Sequence, residues 1–150
     1  MSEIAYALNG RLLMVAHTKN NVSARDWAAH IGDIADHARD NWASGAAPRI
    51  LVFTDGGGPD AIQRKALFDA VPQLRSARGA VLSRSVLVRG IATAFSWFTA
   101  GFKVFSPSAL QDALAWLELD KAEKDTALSA IAQLRRELGE ERARSIPGGI

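Results

Sequence analysis

The sequence contains no cysteine, and this absence excludes several classes of site. Disulfides, thiolate metal centres and cysteine nucleophiles are ruled out, so any metal site has to use histidine or carboxylate ligands. The longest apolar run is too short to span a bilayer. Residues 1–8 carry Glu3 and lack the basic and apolar regions of a secretory signal. We therefore expect a cytoplasmic protein without a membrane span.

What the chain does contain is the composition of one ordinary globular domain. It has 150 residues, of which 48% are hydrophobic and 23% charged, and it includes four Trp and six Phe. A chain of this length buries roughly two-thirds of its unfolded surface on folding, which suffices for a single core.

Positive charge is concentrated in the middle of the chain. Between residues 61 and 105 the only acid is Asp69, while the basic residues are Arg64, Lys65, Arg75, Arg78, Arg84, Arg89 and Lys103. Such a region can attract an acidic partner, a phosphorylated ligand or nucleic acid, although a solvated surface is the more common reason for it. Exposed aromatics that would stack on bases are not interleaved with these charges, so we do not expect nucleic acid as a partner.

The pattern of apolar residues predicts an α/β fold. Residues 3–8 and 11–17 flank Asn9-Gly10, a dipeptide typical of a β-hairpin. A helix begins at Ser23, a strand covers 49–54, and a second helix follows Pro59 with Ile62, Ala66, Leu67 and Ala70 expected to point inward. A strand at 79–83, an almost wholly apolar helix at 86–98, a strand at 102–105 and a helix ending at Leu117 complete the order β-β-α-β-α-β-α-β-α.

A further amphipathic helix is predicted after Asp120, within residues 119–141. Its apolar seam consists of Leu128, Ile131, Leu134 and Leu138. That seam has to be covered by its own domain, by a second copy or by another protein, and we favour a homodimer formed through this helix. Residues 142–150 are expected to form a flexible tail.

The order of elements and several short motifs resemble the SpoIIAA-like family, structural relatives of the STAS domains and anti-sigma-factor antagonists. The most specific stretch contains Phe95-Ser-Trp97-Phe98-Thr99, Phe102-Lys-Val-Phe105-Ser and Ala113-Leu-Ala-Trp116-Leu117. The resemblance covers residues 4–118 and implies one mixed-sheet domain over residues 1–118. It also implies regulation through protein–protein contacts and, in more distant relatives, binding of lipids or small ligands.

One departure from the relatives bears on regulation. Anti-sigma-factor antagonists carry an Asp-Ser-Ser-Gly-like motif after the central strand, in which a kinase modifies a serine. Here the stretch reads Thr54-Asp-Gly-Gly-Gly-Pro-Asp-Ala61 and contains no serine. The resemblance therefore does not carry the phosphorylation switch over to this chain.

Two groups of residues are candidates for binding. Glycines before a helix can present N–H groups to an anion or a partner, although an ordinary strand-to-helix turn is the alternative. The predicted partner-binding or anion-binding residues are Thr54, Asp55, Gly56, Gly57, Gly58, Arg64 and Lys65. An aromatic cluster of Phe95, Trp97, Phe98 and Phe102 either belongs to the core or lines an apolar pocket for a lipid or small molecule.

Catalytic and metal-binding motifs are not recognisable. The only imidazoles are His17, His30 and His37, too few to form a zinc site without nearby carboxylates. We expect His30 and His37 to lie on the surface of the first helix. Ser83 lies outside any nucleophile-elbow motif. We therefore predict a non-catalytic interaction module that needs no cofactor, and a carrier or sensor with an apolar pocket is the alternative.

Overall fold

The computed structural model describes residues 2–42, 47–84, 101–139, 142 and 144–147. The strands are β1 (Ile4–Asn9), β2 (Leu12–His17), β3 (Arg49–Thr54), β4 (Arg78–Ser83) and β5 (Phe102–Phe105). The helices are α1 (Ala24–Asn41), α2 (Ala61–Ala70), α3 (Leu110–Trp116) and α4 (Lys121–Leu138), with 3-10 turns at Pro72–Ser76 and Pro107–Ala109. The helix expected at 86–98 lies outside the described residues.

The five strands form one mixed sheet in the order β1-β2-β3-β4-β5, which confirms the predicted fold class. The β1 and β2 strands are antiparallel, and their turn places Gly10 at φ +53°, where glycine is favoured. The other neighbouring pairs are parallel. The carboxyl ends of β2 to β5 therefore meet at one edge of the sheet.

Helices cover both faces of the sheet, so β2 is buried on both sides. On one side, here called the α4 face, Leu12, Met14 and Ala16 pack against α3 and α4. On the other side, the α2 face, Leu13 and Val15 pack in the layer that contains α1 and α2. The side chains of a strand point alternately to the two faces of the sheet. When both faces are buried, as for β2, the strand sequence is a continuous apolar run.

Helix α4 is part of this core. Ile131, Leu134 and Leu138 are at most 1% exposed and pack on the sheet. Arg11 also holds the start of α4 through two bonds to the Glu123 carboxylate, at 2.7 and 2.9 Å. The expected homodimer rested on an uncovered apolar seam, and the chain's own sheet covers that seam. The apolar seam of α4 is therefore not a reason to expect a dimer through this helix.

Helix α2 is rotated relative to the sequence prediction. Ile62, Ala66 and Ala70 are exposed instead of inward, and only Leu67 of the predicted set is half-buried. Polar contacts explain the rotation, because the Trp27 indole N–H donates to the Gln63 carbonyl at 2.8 Å and the Gln63 amide donates to the Val22 carbonyl at 3.0 Å. These bonds turn the side of α2 that carries Gln63 towards α1.

Candidate functional site

The carboxyl ends of β2, β3 and β4 lie next to one another at one edge of the sheet, here called the carboxyl edge. His17, Thr54 and Ser83 lie side by side in the last rung of the three strands, and all three are buried. The Ser83 hydroxyl donates to the Thr54 carbonyl at 2.7 Å. A fully buried hydroxyl held in this way is placed as a structural group and not as an exposed nucleophile.

The glycine loop after β3 directs its first N–H groups into the protein. Gly57 N–H donates to the Thr18 carbonyl at 2.9 Å, Gly56 N–H donates to Thr54 Oγ1 at 3.0 Å, and Asp55 N–H donates to the His17 carbonyl at 3.3 Å. The start of α2 is capped by the Asp60 carboxylate, which accepts from Gln63 N–H. These three N–H groups therefore do not form the expected anion cradle.

Gly57 has a steric reason to be glycine. A Cβ atom there would lie 2.0 Å from the Asn20 carbonyl oxygen, which is backbone and cannot swing aside. The close approach joins the loop after β3 to the loop after β2. Gly57 is thus required for the fold of the edge, whether or not the loop also contacts a partner.

Arg64 and Lys65 were both predicted to bind a partner or an anion, but their side chains point in different directions. The Arg64 guanidinium turns inward and donates to the Pro59 carbonyl at 3.0 Å, and burial lowers its pKa. Lys65 points outward, 2.5 Å from Asp69 Oδ2, and its side chain is 76% exposed. Only Lys65 of the two presents an exposed charge to a partner.

The C-terminal tail docks at the same edge, although it was predicted to be flexible. Ser145 Oγ lies 2.7 Å from the Thr54 carbonyl and 2.5 Å from Asp55 Oδ1, and it accepts from Arg84 N–H at 3.1 Å. Arg144 N–H donates to Asp55 Oδ2 at 2.9 Å. Ser145 satisfies polar atoms at the strand ends, while Ile146 enters the α4-face core at 5% exposure. The described residues 142 and 144–147 thus lie against the strand ends, and the flexibility of the tail stays a prediction.

Between the tail and the strand ends lies a polar cleft of about 710 Å³. Its described lining consists of Thr18, Lys19, Asn20, Asp55, Arg84, Arg142 and Arg144. Arg142 also pairs with Glu3 at 2.6 Å. The bond from the Thr18 hydroxyl, together with those from Asn20 and Arg142, holds the pKa of Glu3 below its usual value. Sequence reasoning missed this cleft because two of its four basic residues come from the tail.

A second cavity, of about 220 Å³, lies on the α2 face beneath α1 and α2. Most of its lining is apolar, and it includes Phe102, whose ring packs where a Cβ of Gly79 would lie. Phe102 thus belongs to both the core and the cavity wall. Phe95, Trp97 and Phe98, the rest of the predicted aromatic cluster, lie outside the described residues.

Two histidines line this cavity, and His30 corrects the expectation of a surface residue. His30 is only 1% exposed, and its ring contacts those of Tyr6 and Trp27 at centroid distances of 4.3 and 5.0 Å. Burial lowers the pKa of His17 to about 4 and that of His30 to about 3. Both rings are therefore neutral at pH 7, and among the described residues neither Nδ1 has a hydrogen-bond partner.

The basic residues of the middle of the chain do not form one patch. Arg75 joins Lys65 around Asp69, whereas Arg78 stacks on Trp116 at 3.7 Å from the ring centroid. Arg84 lies in the polar cleft. Arg89 lies outside the described residues. Among the described residues, the basic side chains of this region are therefore distributed over separate places in the fold.

Two further features of the described ranges bear on other functions. In that part of the chain no three histidine or acidic side chains come together as a metal site. Over the same residues no helix combines the length and apolarity needed to cross a membrane.

Comparison with known families gives one match. Residues 13–118, more than half of the chain, match the family model described as SpoIIAA-like. No curated protein and no solved structure matches the chain.

Proposed function

The chain belongs to the SpoIIAA-like family, and on this basis we propose that it is a non-catalytic regulatory module that acts in the cytoplasm by binding another protein. The family resemblance supports regulation through protein contacts. The buried Ser83 hydroxyl and the tail-bound Asp55 carboxylate support a role without catalysis.

The surface that we assign to the partner is the exposed side of α2 together with the loop from Gly56 to Gly58. The observation that carries the assignment is Ile62, which is 81% exposed and is the only large apolar side chain exposed among the described residues. Lys65 and Ala66 are also exposed on this helix. Burial of a central apolar residue beside a positive charge is a common basis of protein–protein binding.

The experiment compares Ile62→Asp with Ala122→Asp. Both changes place an acid at an exposed position in the first turn of a helix. Ala122, however, lies on α4, which packs on the opposite face of the sheet from α2. Each tagged protein is used to capture partners from lysate of the source cell, and captured proteins are purified and titrated by calorimetry. We expect one partner to bind the wild type and Ala122→Asp alike and to bind Ile62→Asp at least about tenfold more weakly. Equal affinity for both variants would exclude this surface.

A second candidate function, an apolar-ligand carrier or sensor, is favoured by the cavity of about 220 Å³. Its apolar walls suit a hydrocarbon group, and the free Nδ1 atoms of His17 and His30 suit a ligand with a hydroxyl or carboxyl head. Val52 lines the cavity, whereas Val104 of β5 does not. We expect anilinonaphthalene sulfonate to bind the wild type and Val104→Phe with increased fluorescence, and Val52→Phe to abolish that increase. An unchanged signal in Val52→Phe would reject the carrier function.

A further inference from the structure

We propose that the polar cleft at the carboxyl edge binds a small polyanion, either phosphorylated or multiply carboxylated, and that the docked C-terminal tail forms one wall of this site. The site lies beside the Asp55 loop but does not include Ile62. The inference therefore goes beyond the proposed partner surface and can be tested separately.

The charges of the cleft are unbalanced. Lys19, Arg84 and Arg144 have no acidic partner among the described residues, and Asp55 is the only acid in the described lining. Both oxygens of Asp55 are already engaged, one by Ser145 Oγ and the other by Arg144 N–H. Arg142 is paired with Glu3, so three unpaired basic side chains of the described lining face one carboxylate, and the local field favours an anion.

Arg142 adds a buried donor to this field. Its Nη2 pairs with Glu3 at 2.6 Å, but its Nη1 is buried and has no hydrogen-bond partner among the described residues. Leaving a buried charged donor unsatisfied is costly. A phosphate or carboxylate oxygen is the acceptor that a guanidinium binds best, in a planar arrangement that Lys does not offer.

The size and lining of the cleft restrict the ligand. A volume of about 710 Å³ lies within the range of small-metabolite sites. The described lining includes no aromatic and no large apolar side chain, so nothing there stacks on a base or buries a hydrocarbon chain. The loops after parallel strands are also where α/β sheets usually hold their ligands. We therefore expect a ligand that is polar throughout.

Binding of the ligand and docking of the C-terminal tail should depend on each other. Arg142 and Arg144 supply two of the four basic groups, and Arg144 directly precedes Ser145, which contacts Thr54 and Asp55. A ligand that binds only when the tail is docked must stabilise the docked tail by linkage. Loss of the Ser145 hydroxyl should therefore weaken binding although Ser145 need not touch the ligand.

The test titrates the full chain with inorganic pyrophosphate and, separately, with citrate by calorimetry at constant ionic strength. We expect saturable one-site binding of at least one of them to the wild type, and the stronger of the two identifies phosphate or carboxylate chemistry. Arg84→Gln with Arg144→Gln should weaken binding at least about tenfold. Arg39→Gln with Lys121→Gln, which removes two exposed positive charges elsewhere, should not.

Two results would overturn the proposal. One is the absence of saturable binding of both anions up to about 10 mM, which is weaker than a useful metabolite site. The other is equal affinity in the Arg84/Arg144 variant and in its charge-matched control, with circular dichroism showing both folded. Unchanged affinity in Ser145→Ala would overturn the part assigned to the tail. Ile62→Asp should retain anion binding, so failure of the partner surface and failure of this site are distinguishable.

Discussion

The two faces of the sheet are packed in different ways. On the α4 face, α4 alone contributes five buried residues, and its N-terminus is tied to the sheet by the Arg11–Glu123 pair. The Glu123 carboxylate is held ionised by Arg11, which lowers its pKa to about 2. On the α2 face, α2 has no fully buried residue, is held to α1 by polar bonds through Gln63 and stands over a cavity.

This difference indicates that separate parts of one small domain provide its stability and its binding surfaces. Dense apolar packing yields most of the folding free energy, and α4 contributes more buried residues to it than α2 does. A surface that binds partners or ligands needs exposed groups and cavities, which the exposed side of α2 and the carboxyl edge have. The predictions below test the division, in order of decreasing effect.

The largest effect is expected from removal of residues 120–150. This truncation uncovers the side of the sheet on which Ile131, Leu134 and Leu138 pack. We expect no cooperative thermal unfolding transition by circular dichroism. A folded, monomeric residue 1–119 fragment would show that α4 is dispensable and would restore the case for an intermolecular role.

Single truncations should differ between the faces. Leu134 is fully buried on the α4 face, so Leu134→Ala should lower the free energy of unfolding by about 2 to 5 kcal/mol. Leu67 is half-buried on α2, so Leu67→Ala should cost about 1 kcal/mol or less. Urea denaturation measures both, and equal losses would contradict the division.

The α2 face should also be the more sensitive to acid. His17 and His30 are neutral in the fold, with pKa values lowered to about 4 and about 3, but in the unfolded chain they gain protons below about pH 6.5. The unfolded state then binds more protons, so stability is complete above pH 6.5 and falls as the pH decreases. The slope contributed by each histidine approaches about 1.4 kcal/mol per pH unit only well below pH 6.5, where the unfolded histidine is fully protonated.

The measurement is the free energy of unfolding by urea at several values between pH 7.5 and 5.5. His30→Phe retains an aromatic ring beside Tyr6 and Trp27 and should show about half of the wild-type slope. His37→Phe, at a less buried position of α1, controls for the exchange of an imidazole for a phenyl ring. An undiminished slope in His30→Phe would mean that other groups carry the acid sensitivity.

The smallest effect on stability is expected from Ile62→Asp. Its side chain is 81% exposed, and an acid in the first turn of a helix interacts favourably with the helix dipole. The free energy of unfolding should change by about 0.5 kcal/mol or less. A loss above 2 kcal/mol would show that Ile62 supports the fold, and any loss of partner binding would then need another explanation.

Sequence reasoning predicted the elements where local signals are strong. The Asn9-Gly10 hairpin and the helix predicted after Asp120 are both present. It failed for the inner side of α2, because the rotation depends on Trp27 and Val22, which lie about forty residues earlier in the chain. No periodicity within α2 reports such contacts.

For the candidate site, the sequence identified the Asp55 loop but not what surrounds it. That loop follows a buried strand and carries glycines, both of which are local features. Whether its N–H groups face solvent depended on the Thr18 carbonyl, and whether Asp55 was free depended on Ser145, ninety residues away. The neighbouring polar cleft is assembled from four separate segments and therefore left no motif in the sequence.

By itself, the sequence determined the α/β class of fold and the positions of the described helices, because hydrophobic periodicity, turn dipeptides and capping residues act over a few positions. The mixed sheet was implied by the resemblance to the SpoIIAA-like family. Only the tertiary structure decided that α4 covers the sheet of its own chain, that Ile62 is exposed, that His30 is buried and that the tail closes the carboxyl edge. Each of these depends on contacts between residues that are far apart in the sequence. Such contacts form only when the whole chain packs.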